Sequence, residues 1–207
     1  MRNDCFKRLG LKRQDLAWLL AVPVYQTLGT IRHEGAHALM ARWEGAEIVR
    51  FVFWPHVREG WGFLWGYVRY QGDTTWLTTA APYFADVLTF LLFGAVCFWA
   101  RKLPRWVWLN LLILGVVSPL ANSLVNYAGG FYRPKNDVAK LLRVLPAWGV
   151  HLFFAVSMSA YAVGAVGFLR RRARWDASAE SNGDGPPGPP PTGPPLDVDV
   201  PTAGRVD

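Results

Sequence analysis

Four stretches of this chain, roughly Leu16–Met40, Thr74–Ala100, Trp106–Asn126 and Leu145–Leu169, are each apolar over close to the ~20 residues a helix needs to cross a hydrocarbon layer. That feature constrains the fold more than any other. Backbone groups in lipid find no water to bond with, so each segment has to satisfy its own N–H and C=O groups as a helix. A 52% hydrophobic content and eleven tryptophans in 207 residues agree with this. The expected fold class is mainly α, a polytopic membrane protein with about four transmembrane helices and a small interfacial β-hairpin.

The basic residues sit at the ends of these segments. Arg2, Lys7, Arg8, Lys12, Arg13, then Arg101, Lys102, Arg105, then Arg170, Arg171, Arg172, Arg174 fall on one side after four crossings. These 12 compare with 8 in the two opposite loops, which predicts a multi-pass protein of the lipid bilayer with both termini cytoplasmic. Nothing arranges the charge as a nucleic-acid footprint, so no nucleic acid is expected as a partner. Cys5 and Cys97 are too isolated for a disulfide framework or a paired-cysteine metal site. The basic start followed by an apolar run lacks a clear small-residue cleavage pattern and reads as an uncleaved signal-anchor helix.

Three regions follow: a basic N-terminal segment (1–15), a membrane-embedded domain (16–175) and a disordered acidic Pro/Gly-rich tail (176–207). The tail holds six acids and one Arg, and its Pro186-Pro187-Gly188-Pro189-Pro190-Pro191 run has polyproline II character. It reads as a solvated tail, or as a ligand for a proline-recognition partner.

Within the domain, Asp15 is placed to cap the first helix, which runs to about Trp43 with Pro23 as a site for a kink. A helix from Leu16 crosses ~30 Å by about residue 36, which puts His33 and His37 at or just inside the far membrane face. Between Glu47 and Tyr70, β-branched and aromatic residues flank a Pro- and Gly-interrupted turn, the pattern of a β-hairpin. Its aromatic residues suit an anchoring belt at the membrane interface, and its edge suits pairing with an extended peptide. The second apolar segment carries Pro82 and an intramembrane acid, Asp86, which should face the bundle interior. The third ends with Asn122 and Asn126, followed by Gly129-Gly130, Asp137 and an amphipathic run from Val138 to Leu145.

The chemistry concentrates in His33-Glu34-Gly35-Ala36-His37. Positions i and i+4 share a helix face, so both imidazoles can reach one metal ion with Glu34 beside it as general base. Such a zinc site needs a third protein ligand and an open position for water. Residues 1–175 contain only nine acids and two further histidines. Asp4 and Asp15 lie on the wrong side, Glu44 is two turns away, and Asp86 is deeper than His33. Glu47, Glu59, His56 and Asp73 stay open, and Asp137 fits best, its competing role being the N-cap of Val138–Leu145. Asn122, Asn126 and Asp86 are the expected supporting or substrate-binding residues.

HEGAHALMARWEGAEI, followed by a hairpin, an apolar span with Ala81-Pro82 and a third span leading to Asn and Asp, resembles the site-2 protease group of intramembrane zinc metallopeptidases. The resemblance covers roughly residues 16–145. It implies a three-span core, Zn2+ as cofactor, His33 and His37 as ligands, Glu34 as base, an Asp ligand from a later broken helix, and a membrane-protein or peptide substrate. The Asp segment departs from the family's compact Asn-Pro and Asp-Gly arrangement, since Asp137 follows Asn126 by eleven residues and precedes Val138. The family's site faces the cytosol, whereas the charge count puts HEGAH on the other face. The alternative function is a non-catalytic site-2 protease-like scaffold or receptor. A di-iron lipid desaturase needs many more than four histidines.

Overall fold

The computed structural model describes residues 20–58, 62–100 and 103–181. The order is α1 (Val22–Trp43), β1 (Glu47–Val52), β2 (His56–Arg58), β3 (Gly62–Leu64), β4 (Tyr67–Gln71), α2 (Trp76–Trp99) and α3 (Arg105–Leu112). A π-helical turn (Ile113–Val117) leads straight into α4 (Ser118–Gly129), and α5 (Asp137–Val144) and α6 (Ala147–Ser181) complete it.

Among the described residues three helices, not four, are long and apolar enough to cross a membrane: α2, the continuous Arg105–Gly129 rod, and α6. α1 falls short because Arg32, His33, Glu34, His37 and Arg42 interrupt its apolar residues. Its expected start at Leu16 and the Asp15 cap lie outside the described residues. Pro23 lies at the start of the described helix. It sits in the first turn of α1, where a missing N–H removes no helical bond. At the other end α6 continues through Ser181, past the expected tail boundary at 176, because Asp176 accepts from Arg172 (2.9 Å) and Arg105 (3.2 Å) and ties this end to the start of α3.

Two prolines shape the rest. Pro82, inside α2, has no N–H to give to the carbonyl four residues earlier, that of Thr78. Pro119 follows the π-helical turn, in which the Ser118 N–H bonds to the Ile113 carbonyl five residues back. The next bond in that pattern would join the N–H of residue 119 to the Leu114 carbonyl, and proline cannot make it. Both helices therefore expose a bonding carbonyl in their interior, and α1 packs against both.

The hairpin is present as two antiparallel ladders, β1 with β4 and β2 with β3, with a bulge between Ile48 and Arg50. It rests on α1 through Gly66. A Cβ at that position would come within 2.5 Å of Thr30 Cγ2 and 2.6 Å of the Val52 carbonyl oxygen, so only glycine permits this approach. The main apolar core lies where α2, α5 and α6 meet, with Ala80, Tyr83, Val138, Leu141, Val150 and Phe154 buried together. A second cluster around Cys97, Trp108, Leu112 and Val116 holds α2 to the α3 end of the rod.

Gly66→Val should push β4 off α1. We expect a stability loss of about 1–3 kcal/mol, the usual range for overpacking, read as a lower thermal midpoint in detergent. An unchanged midpoint would show that the hairpin is not seated on α1.

Candidate metal centre

The helical spacing in α1 turns His33 and His37 to one face, with ring centroids 5.0 Å apart and planes nearly perpendicular. Across from them stands Asp137, at the first residue of α5. Its Oδ2 is 3.1 Å from His37 Nε2 and 3.6 Å from His33 Nε2. One ligand atom from each of the three residues lies within 4.8 Å of the others. In a tetrahedral site with ~2.0–2.1 Å bonds, neighbouring ligand atoms are ~3.3 Å apart, and the two distances from Asp137 lie on either side of that value.

Asp137 is available because another residue does the capping expected of it. Asn136 is the N-cap of α5, its side chain accepting from the Val138 N–H at 2.8 Å. Asp137 then takes the first helical position and points back to the histidines, while Lys140, one turn on, donates to its Oδ1 (2.8 Å). Burial works against ionisation of Asp137. The facing His33 and His37 rings, with the Lys140 ammonium, outweigh it and hold the carboxyl well below the usual carboxylate range. Asp137 is therefore held as a carboxylate, the form that could bind a cation.

The tautomer of His37 is set by α2. Its Nδ1 is 2.7 Å from the Thr78 carbonyl oxygen, the one that Pro82 leaves without a helical donor. A carbonyl only accepts, so Nδ1 carries the proton, and in a neutral ring Nε2 would then turn a lone pair to the Asp137 carboxylate. Two acceptors at 3.1 Å call for a cation between them, a metal ion or a second proton on the imidazole. A backbone carbonyl behind the ring is also the usual way a ligating histidine is oriented.

His33 is braced from α4. Its Nδ1 is 3.2 Å from the Asn122 amide nitrogen, and an amide can present a donor or, turned over, an acceptor to the ring. Asn122 also donates to Asp86 (2.7 Å), and Asn126 donates to the Asn122 side-chain oxygen (2.8 Å) and in turn accepts from Asn136 (3.3 Å). Asn122 thus touches His33, whereas Asn126 and Asp86 lie one residue further back. Asp86, 1% exposed, is neutralised by Arg32, whose Nη2 lies 2.7 Å from Oδ1 in an ion pair. The same guanidinium donates to Ser118 Oγ and to the Leu114 carbonyl exposed ahead of Pro119, both at 3.1 Å.

Glu34 accepts from the Val68 N–H of β4 with Oε2 at 2.9 Å. In an antiparallel ladder alternate residues turn their N–H outward, and Val68 turns its own toward the site. Of the other third-ligand options, Glu47 and Asp73 lie outside the ligand group, and His56 bonds the Trp54 carbonyl (3.0 Å). Glu59 is outside the described residues. Glu44 sits at the far end of α1, accepting from the Thr75 N–H (2.8 Å), the Thr75 hydroxyl and the Thr78 hydroxyl (2.8 Å).

Sequence reasoning did not assign Thr78, Asn136, Arg32, Val68 or Tyr83. For Thr78 a signal existed in the proline four residues later, and for Arg32 in a lone charge facing an intramembrane acid. No family model, curated protein or solved structure matches the chain.

Glu44 braces the turn of α2 that holds His37. Hydrogen bonds from Thr75 lower its pKa, so its stabilisation is complete above the unfolded value near ~4.3 and is lost as pH falls through the lower folded value. Glu44→Gln should lower the thermal midpoint at pH 7, and the gap from the parent should close below about pH 4. A gap of constant size down to pH 3 would contradict this role.

Proposed function

We propose that this chain is an intramembrane zinc metallopeptidase, similar to the site-2 protease group, that hydrolyses a peptide bond in or near the membrane. The observation that carries the proposal is the facing of His37 Nε2 and Asp137 Oδ2 at 3.1 Å, with His37 Nδ1 already committed to Thr78 and His33 Nε2 beside them. Two imidazoles and one carboxylate are the donor set of a hydrolytic zinc site, with a fourth position for water.

Bound there, zinc would polarise a peptide carbonyl and lower the pKa of water. Glu34, about 100° around α1 from His33, is the general base. The Val68 N–H orients its carboxylate and leaves Oε1 to take the proton of the attacking water and pass it to the amide nitrogen as the C–N bond breaks. The substrate is a membrane-protein segment or peptide in extended form that adds as a strand to the hairpin between Glu47 and Tyr70. The Arg32–Asp86–Asn122 chain positions His33. The three apolar helices keep the centre in the bilayer, and with α1 crossing as part of the same assembly we place both termini in the cytoplasm on the charge distribution. Reporter fusions at each end that read outside the cytoplasm would reverse that orientation.

The test is metal analysis combined with hydrolysis of fluorogenic single-span peptides by protein in liposomes. The parent chain should hold about one zinc per chain, the number a single three-ligand site takes. His33→Ala and Asp137→Ala should lose it. Glu34→Gln should keep the zinc and lose at least ~10²-fold in rate, the usual contribution of a general base. A parent chain with bound zinc whose hydrolysis does not depend on Glu34 would favour a non-catalytic scaffold or receptor, as would absence of both.

A further inference from the structure

Tyr83 is 1% exposed, and its hydroxyl has no protein partner. Buried hydroxyls are nearly always bonded, and leaving one unmade costs about 1–3 kcal/mol, so an orphan beside a reactive centre calls for a reason. The ring stands edge-on to His33, with centroids 6.0 Å apart at 80°. It is held there by an edge contact with Phe154 at 4.9 Å. The hydroxyl lies within electrostatic reach of the Asp137, Asp86 and Glu34 carboxylates, yet bonds none of them. Two other unpartnered atoms nearby, Arg32 Nε and Asp86 Oδ1, belong to an ion pair already made. Tyr83 is thus a fixed, buried donor without a protein acceptor, one helical turn before the Asp86 that helps to orient His33.

We propose that Tyr83 is a further catalytic residue whose hydroxyl donates a hydrogen bond to the carbonyl oxygen of the scissile peptide as that oxygen gains negative charge. The inference rests on the metallopeptidase reading. When water adds to the carbonyl carbon, the C=O π electrons move onto oxygen, and a pre-positioned O–H in a water-poor site stabilises that charge without reorganising. The proton stays on Tyr83, and Glu34 alone carries the proton that moves. Because the ring is clamped by Phe154, the donor is already in place before substrate enters.

Tyr83→Phe removes only the hydroxyl and keeps the ring contacts. Compared with the parent in liposomes, the variant should keep its zinc and its thermal midpoint, or melt slightly higher because the orphan is gone. Its kcat on the fluorogenic peptides should fall about 10²-fold with KM little changed, the usual loss when one oxyanion donor is removed. A phosphinic peptide, whose tetrahedral oxyanion copies the charged state, should bind about 10²-fold more weakly. Wild-type kcat and wild-type phosphinic-peptide affinity in Tyr83→Phe, with hydrolysis still dependent on Glu34, would overturn the role of Tyr83 alone. Loss of Glu34 dependence in the parent chain would overturn the metallopeptidase reading and this inference with it.

Discussion

The bond from His37 Nδ1 to the Thr78 carbonyl is the interaction on which the rest depends. It exists because Pro82 has no N–H, so an α-helix that would otherwise use all its interior carbonyls has one to spare. That bond fixes the His37 ring, turns Nε2 to Asp137 and defines where a cation would sit. Arg32 repeats the arrangement against the rod, where Pro119 releases the Leu114 carbonyl. In both cases a proline disrupts one helix and a polar side chain of α1 takes the group it frees.

This pattern accounts for how α1 can carry Arg32, His33, Glu34 and His37 beside two strongly apolar segments, α2 and the Arg105–Gly129 rod. A buried polar group without a partner is costly, and an unpaired charge more so. Here Arg32 is neutralised by Asp86, both histidines are held on their Nδ1 sides by α2 and α4, and Glu34 is met by the Val68 N–H. α1 draws its polar partners from α2, α4, α5 and β4, so it is stable as part of this assembly and lacks the composition of an independent span. Of the four expected spans this is the most polar, and among the described residues only the other three are long and apolar enough to cross.

Much of the centre was legible because it depends on short-range geometry. The four-residue spacing of His33 and His37, the adjacency of Glu34 and the intramembrane position of Asp86 follow from helix periodicity and the cost of burying charge. Asp137 was legible by elimination among few acids, but its freedom to ligate depended on Asn136 taking the cap, a choice between two adjacent residues that composition cannot make. Val68 and Tyr83 depend on how the hairpin and α2 are turned toward α1, which is decided by tertiary contacts such as Gly66 against Thr30 and Tyr83 against Phe154. The helical extension through Ser181 likewise needed the Asp176 pairing with Arg105, seventy-one residues away.

Zinc K-edge X-ray absorption on the full chain in detergent tests the central claim most directly. The account predicts a first shell of four nitrogen and oxygen atoms at ~2.0–2.1 Å with the outer-shell scattering of two imidazoles, and loss of that signal in Asp137→Ala. A sulfur ligand, a single imidazole, or an unchanged spectrum in Asp137→Ala would contradict it.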